Sequence, residues 1–140
     1  MAFDFYIDAK LGVVFSKEDG VFDRTVALEH MDQLSRHPDF RPEFHQLADF
    51  RMVTQFAMTA EDVRQLAKRA IFSASSKRAF VVSSDLQFGL ARMFRTHREM
   101  NGEKGIMVFR EMREALDWLS ITSEPDSQLF PRLHPITHTQ

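Results

Sequence analysis

Residues 79–85 read Ala-Phe-Val-Val-Ser-Ser-Asp, and this stretch decides the fold class. Its first four residues are all apolar, which is typical of a short strand buried on both faces of a parallel sheet. Ser83 and Ser84 follow, and a serine hydroxyl at that place caps the N-terminus of a helix. The stretch therefore predicts a buried strand that leads directly into a helix, as in α/β proteins.

The same order of strand and helix continues towards the C-terminus. The helix after Ser84 is expected to bury a stripe at spacings of three and four, made of Leu86, Gly89, Leu90, Met93, Phe94 and His97. Asn101, Gly102 and Gly105 interrupt the chain, and residues 106–109 predict another buried strand. A last helix is expected to bury Met112, Ala115, Leu116 and Leu119.

The N-terminal segment predicts two strands. Phe3, Phe5 and Ile7 alternate with polar residues, which is the period of a half-buried strand. A second strand is expected over residues 11–15, with a turn at residues 18–20 (Glu-Asp-Gly). We expect these strands to form an antiparallel edge pair.

Two helices and a strand are predicted between this pair and residue 79. Asp23 and Thr25 offer caps to a helix that ends before Pro38. Residues 45–50 predict a short strand. Thr59, with Asp62 three positions later, resembles a capping box. The helix that it starts is expected to bury Val63, Leu66, Ala67, Ala70 and Ile71.

The predicted fold class is α/β, with a mixed, mainly parallel sheet, an N-terminal antiparallel edge pair and four helices. The length of 140 residues fits one domain, which we place at residues 1–121. Residues 122–140 contain three prolines and no periodic pattern, which predicts a flexible tail. The alternative is an arm that docks on its own domain or on a partner through apolar residues such as Phe130.

Composition excludes several classes of protein. The chain is 44% hydrophobic and 27% charged with a net charge of -2, which is typical of a soluble globular protein and not of a nucleic-acid binder. It has no apolar run of about 20 residues and no signal segment, so we expect no membrane span and a cytoplasmic location. There is no cysteine, the six histidines form no ligand motif, and no metal or cofactor is expected.

Motifs of catalysis are also missing. Ser83 and Ser84 occupy a strand-to-helix turn, but Val82 and Asp85 stand where a nucleophile elbow needs glycines. The five glycines form no phosphate-binding loop. We therefore expect that the protein is not an enzyme.

The carboxyl ends of the predicted strands form a candidate binding site, because ligands of open α/β sheets bind at that edge. The candidates are Arg51, Ser83, Ser84, Asp85 and Arg110. Two arginines, two hydroxyls and a helix N-terminus together suit a small anion. The alternative is that Arg51 and Arg110 make structural ion pairs with Asp49 and Asp85.

The outer face of the helix after Ser84 is a candidate partner surface. Phe88, Arg92 and Arg95 recur there at spacings of three and four, and coverage of this face by the tail is the alternative. Residues 1–63 carry six Lys/Arg and twelve Asp/Glu, whereas residues 64–113 carry eleven and four. Such polarity favours self-association or an anion-facing surface, unless the fold interleaves the two halves. Fourteen phenylalanines and eight methionines exceed what a thin domain obviously needs, so we expect a homodimer.

Four stretches resemble an uncharacterised bacterial family of small proteins with the fold of the anti-sigma factor antagonist (STAS) domain. They are residues 48–53 (Ala-Asp-Phe-Arg-Met-Val), 79–85, 88–94 (Phe-Gly-Leu-Ala-Arg-Met-Phe), and 108–110 with 114–119. The resemblance covers residues 3–120. It implies a STAS-like fold. With no catalytic motif in the sequence, we expect a non-enzymatic signalling or protein-interaction module. The alternative is a domain that binds a small anionic or amphipathic metabolite at the strand ends.

The resemblance also locates a regulatory position. Anti-sigma factor antagonists have a phosphorylated serine in an Asp-Ser-Ser/Thr-Gly context at the start of a helix. Residues 57–62 read Ala-Met-Thr-Ala-Glu-Asp at the matching place, so the serine and the glycine are absent. Thr59 is the nearest hydroxyl.

Overall fold

The computed structural model describes residues 2–122, which form a five-stranded sheet with helices packed on both faces. The elements in chain order are β1 (Phe3–Asp8), β2 (Val13–Asp23), α1 (Arg24–Arg36), β3 (His45–Ala57), α2 (Ala60–Leu66), β4 (Arg78–Val81), α3 (Asp85–Met100), β5 (Ile106–Phe109) and α4 (Met112–Trp118). The strands lie side by side in chain order. β1 is antiparallel to β2, and the other neighbours are parallel. The predicted fold class is confirmed.

The sheet separates two apolar layers. On one face α4 buries Ala115 and Leu116 against the sheet residues Phe15, Leu47 and Val81. The other face is covered by α1, α2 and α3, which pack over a layer rich in phenylalanine. The strands between the layers are therefore buried on both sides, as their apolar sequences predict.

The prediction of a turn at residues 18–20 was wrong. β2 continues through them to Asp23, and two register shifts against β3 absorb the irregularity. Gly20 has a φ of 70°, which a residue with a side chain rarely adopts. Glu18 is only 1% exposed and lies 2.9 Å from His30, so an acidic residue that suggested a turn is in the core. β3 is also longer than predicted and runs to Ala57 instead of residue 50.

The predicted buried stripe of α3 was correct only in part, since Phe94 packs in the core but Leu86 and Gly89 are exposed. Leu86 is 63% exposed, and the buried positions are Gln87, Ala91 and Arg98. Two of these three side chains are polar, and hydrogen bonds to other elements hold them inside. Apolar periodicity alone could not place this helix correctly, because its inner face is partly polar.

The predicted caps at Asp23, Thr59 and Ser84 are confirmed, whereas Thr25, the other candidate for α1, lies inside that helix. The Ser84 hydroxyl accepts a hydrogen bond from the backbone N–H of Gln87 at 3.1 Å. Thr59 accepts from the N–H of Asp62, and the Asp62 carboxylate accepts from the N–H of Thr59, both at 3.0 Å. This reciprocal pair is a capping box and fixes the start of α2.

Two features concern the limits of the domain. None of the helices in residues 2–122 is long and apolar enough to cross a membrane. The predicted tail, apart from Thr122, lies outside the described residues, so the boundary at residue 121 stays a prediction.

Candidate functional site

The outer side of α3 forms a shallow depression with the end of β5. Its lining residues are Asp85, Phe88, Gly89, Arg92, Met93, Thr96 and Arg110. We call this set the α3 surface. It brings Phe88 and Arg92 of the predicted partner surface together with Asp85 and Arg110 of the predicted strand-end site.

Phe88 is the centre of the α3 surface. It is half-buried and packs against the core layer under α3. The guanidinium of Arg110 lies 5.0 Å from the centre of its ring, and that of Arg92 lies 5.7 Å away. Both distances are within the range of a cation–π interaction, so the ring holds two cationic groups at the surface. Arg95, the third residue of the predicted partner surface, pairs with Glu99 at 3.0 Å on the same helix.

The two arginines of the predicted strand-end site already have acidic partners. Arg51 lies within β3, where its Nε donates to Asp49 Oδ1 at 3.0 Å and its Nη2 to Oδ2 at 3.3 Å. Arg110 donates to Asp85. These are the structural ion pairs that the sequence offered as the alternative. They occupy donors that an anion would need.

The two serines of that site serve the helix. Ser84 caps α3, and the backbone N–H of Ser83 donates to Gln87 Oε1 at 3.0 Å. Gln87 in turn donates to the carbonyl of Val53 at 3.4 Å, which connects this corner to β3. The local polar groups are thus largely satisfied within the domain.

Thr59, the nearest hydroxyl to the regulatory position, is exposed at the N-terminus of α2. Its side-chain oxygen is the N-cap acceptor described above. The hydroxyl therefore has a structural role that requires no modification.

A chain of buried polar side chains crosses the face of the sheet that α1, α2 and α3 cover. The predictions from the sequence did not include it. Arg78 Nε donates to Gln46 Oε1 at 3.1 Å, and Gln46 Nε2 donates to Ser16 Oγ at 3.2 Å. Ser16 Oγ lies 3.2 Å from His30 Nε2, and His30 Nδ1 lies 2.9 Å from Glu18 Oε2. We call these five residues the polar chain.

Two hydrogen bonds of the polar chain have a direction that Arg78 determines. Arginine only donates, so Gln46 Oε1 faces Arg78 and the Gln46 amide N–H faces Ser16. The Ser16 hydroxyl can donate to His30 Nε2 or accept from it. At the other end, a carboxylate only accepts, so His30 Nδ1 donates to Glu18 Oε2.

Arg78 also belongs to a buried ionic cluster. Its Nη1 donates to both oxygens of Glu103 at 3.1 Å, and Glu103 accepts from Arg98 Nε at 2.8 Å. Arg98 reaches the carbonyl of Ala67 at 2.7 Å and so joins α3 to the end of α2. Burial lowers the pKa of the Arg78 guanidinium, and its pairing with Glu103 opposes that shift.

A weak signal of the polar chain was present in the sequence. Val14, Ser16 and Glu18 share one face of a strand because side chains alternate, and Gln46 precedes the alternating Ala48 and Phe50. Polar residues at core-facing positions indicate a buried network. Because a turn was predicted at residues 18–20, the alternation of side chains along β2 was not followed as far as Glu18.

Metal binding finds no support in the part of the chain that is described. Residues 2–122 contain no group of three or more His, Cys, Asp or Glu side chains placed to hold an ion. His30 and Glu18 are close, but their contact is the hydrogen bond of the polar chain.

Comparison with known proteins identifies the fold. No protein-family model and no curated protein matches the chain. A solved structure matches it, an uncharacterized protein of the DUF3478 family from Shewanella loihica PV-4 with a SpoIIAA-like fold. The fold is STAS-like. The two chains are 18% identical, the match covers 84% of this chain and 94% of that one, and the TM-score is 0.55. At this identity the likeness shows the fold, as the resemblance implied.

Proposed function

We propose that the protein is a non-enzymatic signalling or interaction module that binds an acidic segment of a partner protein on the α3 surface. The observation that carries the proposal is the half-buried Phe88 ring with the guanidiniums of Arg92 and Arg110 against it. Arginine is among the residues that dominate binding energy at protein interfaces, and phenylalanine is enriched there. The STAS-like fold is compatible with such a module.

The charge of the α3 surface favours an acidic partner. Arg92 makes no ion pair within residues 2–122, so its guanidinium is available to a carboxylate. The Asp85 side chain that pairs with Arg110 is 97% exposed, and a partner carboxylate can replace an exposed ion pair at low cost. Met93 adds apolar area beside the two arginines. We place the module in the cytoplasm.

The alternative function, binding of a small anion or amphipathic metabolite at the strand ends, has less support. Asp49 and Asp85 already neutralise Arg51 and Arg110, and Arg51 lies within β3 and not at its end. An incoming anion would compete with a carboxylate that is held by the fold.

Photocrosslinking in the native cells tests the proposal. A benzophenone amino acid replaces Met93 on the α3 surface or, as the matched control, Gln33 on the exposed side of α1. We expect a discrete crosslinked protein with the first position and none with the second. Arg92→Glu in the Met93 background should abolish the product, because it reverses the charge that the partner meets.

The outcomes separate the occupants of the α3 surface. A product with an acidic protein supports the proposal, and its loss in Arg92→Glu assigns the contact to charge. A crosslink to a second copy of the chain, or equal products from both positions, would overturn it. Absence of any product would also count against an interaction at this surface.

A further inference from the structure

A partly enclosed cavity lies between the sheet and the three helices α1, α2 and α3. Its volume is about 100 Å³. Its walls are mostly apolar and include the rings of Phe22, Phe50, Phe56, Phe80 and Phe94. Four members of the polar chain also line the cavity, namely Glu18, His30, Gln46 and Arg78. Most of the cavity wall is therefore apolar and rich in aromatic rings, and one part of it is polar.

Glu18 is incompletely satisfied in this cavity. Its residue is 1% exposed, and Oε2 accepts from His30. The second oxygen, Oε1, has no hydrogen-bond partner among residues 2–122. A buried polar atom without a partner is costly, and native structures retain few of them. The position therefore calls for a further group in the cavity.

The missing group must donate a hydrogen bond. The Glu18 carboxylate accepts from His30 at Oε2, and both oxygens of a carboxylate are acceptors only. A ligand oxygen without a hydrogen would face the carboxylate unfavourably, whereas an O–H or N–H group would satisfy Oε1.

The missing group must also be uncharged and small. Arg78, Arg98, Glu103 and Glu18 are already buried on this face. An uncharged group avoids the cost of burying a further ion beside them in a medium of low dielectric constant. Since a dry cavity of about 150 Å³ binds benzene in another protein, about 100 Å³ suits a molecule of about four non-hydrogen atoms.

We propose that this cavity is a binding site for a small neutral amphipathic molecule whose single hydroxyl or N–H group donates to Glu18 Oε1. The apolar body lies among the phenylalanine rings, and the donor completes the polar chain. This site is separate from the α3 surface, and the proposal does not depend on the function assigned there. Water is the competing occupant, but it would satisfy one oxygen and leave the apolar walls unfilled.

2-Propanol and acetone, with four non-hydrogen atoms each, test the proposal on the full-length chain, because they match in size and differ in the donor. Binding is measured by titration from the NMR signals of the Ala48 and Ala91 methyl groups, which line the cavity. We expect 2-propanol to bind the wild-type protein about tenfold more tightly than acetone, since a hydrogen bond to a charged group discriminates by at least that factor.

Glu18→Gln should invert this preference. The amide oxygen would accept from His30 and the amide N–H would point into the cavity, so the ketone becomes the better partner. Glu29→Gln, on the exposed side of α1, is the matched control and should keep the wild-type order. Ala91→Leu fills the cavity and should remove the Ala48 response to both probes.

Each outcome decides the proposal. No methyl response to either probe means that the cavity holds only water, and equal affinities in the wild-type protein mean that no donor is recognised. A response that survives Ala91→Leu places binding elsewhere. Each of these results would overturn the proposal. If Glu18→Gln fails to fold, the wild-type ratio and the Ala91→Leu variant still decide it.

Discussion

Gly105 lies where β5 begins to run beside the backbone of Ser76. A Cβ atom at residue 105 would be 2.0 Å from the Ser76 carbonyl oxygen, and that oxygen belongs to backbone that cannot turn away. Gly105→Ala should therefore lower the free energy of unfolding by about 1–3 kcal/mol, as overpacking does in a well-packed core. Urea unfolding followed by circular dichroism measures the change.

Gly89→Ala is the matched control for this prediction. A Cβ at residue 89 has nothing within 4 Å and lies inside α3. Since glycine in a helix interior is less stable than alanine by about 0.5–1 kcal/mol, this variant should be more stable than the wild-type protein. A loss of stability in both variants, or in neither, would contradict the packing argument.

Ser16 is the link of the polar chain between Gln46 and His30. Ser16→Ala leaves an amide N–H of Gln46 and Nε2 of His30 without partners in the core. We expect the free energy of unfolding to fall by about 1–3 kcal/mol, measured by urea unfolding. Ser35→Ala, which removes a hydrogen bond on the exposed side of α1, should change it by less than about 0.5 kcal/mol. Similar values for the two serines would show that the chain is not buried in solution.

Residue-level predictions from the sequence succeeded where chemistry is local. The Asp49–Arg51 contact and the Thr59–Asp62 capping box join residues two and three positions apart. The polar chain joins residues up to 32 positions apart, such as Gln46 and Arg78, and depends on which face each strand presents. A single misplaced turn at residues 18–20 was enough to conceal it.

At the scale of elements, the capping box determines where α2 starts. Thr59→Ala removes the acceptor for the N–H of Asp62. The free energy of unfolding should fall by about 0.5–2 kcal/mol, because α2 has only seven residues and few other hydrogen bonds at its start. Chemical denaturation measures this loss.

Two variants control the capping prediction. Thr59→Ser keeps the hydroxyl acceptor and should retain most of the stability. Thr96→Ala lies on the exposed side of α3, away from any cap, and should be neutral or slightly stabilising because alanine favours helix. A loss in Thr59→Ser as large as in Thr59→Ala would assign the effect to the threonine methyl group.

The α3 helix shows why element-level prediction stopped short of the functional surface. Its length and cap followed from the sequence, but its rotation depended on Gln87 and Arg98, which are buried by partners on other elements. A prediction from the apolar stripe places every polar residue on the solvent side. It therefore gives the wrong rotation for a helix that buries polar side chains. Phe88 was expected on the outer face and is half-buried there, held by core contacts below and arginines above.

At the scale of the whole molecule, the large number of phenylalanines does not support the predicted homodimer. Every phenylalanine in residues 2–122 is buried or half-buried, so the apolar bulk fills the two core layers. The exposed large apolar side chains outside α3 in these residues are Leu11 and Val21, with 44% and 45% exposure. Light scattering at micromolar concentration should give the dimer mass, and Val21→Glu should weaken the dimer. A monomer mass for the wild-type chain would remove the prediction.

Truncation after Thr122 tests whether residues 2–122 suffice for the fold. They contain all five strands, both core layers and Ile121, which is 4% exposed in the layer beneath α4 and donates its N–H to Leu116. We expect the melting temperature to fall by only a few degrees. Truncation after Leu119 is the matched comparison and should cost more, since it also removes Ile121. A solvated tail contributes little to the free energy of unfolding. If truncation after Thr122 lowers the melting temperature by more than about 10 °C, residues 123–140 dock on the domain.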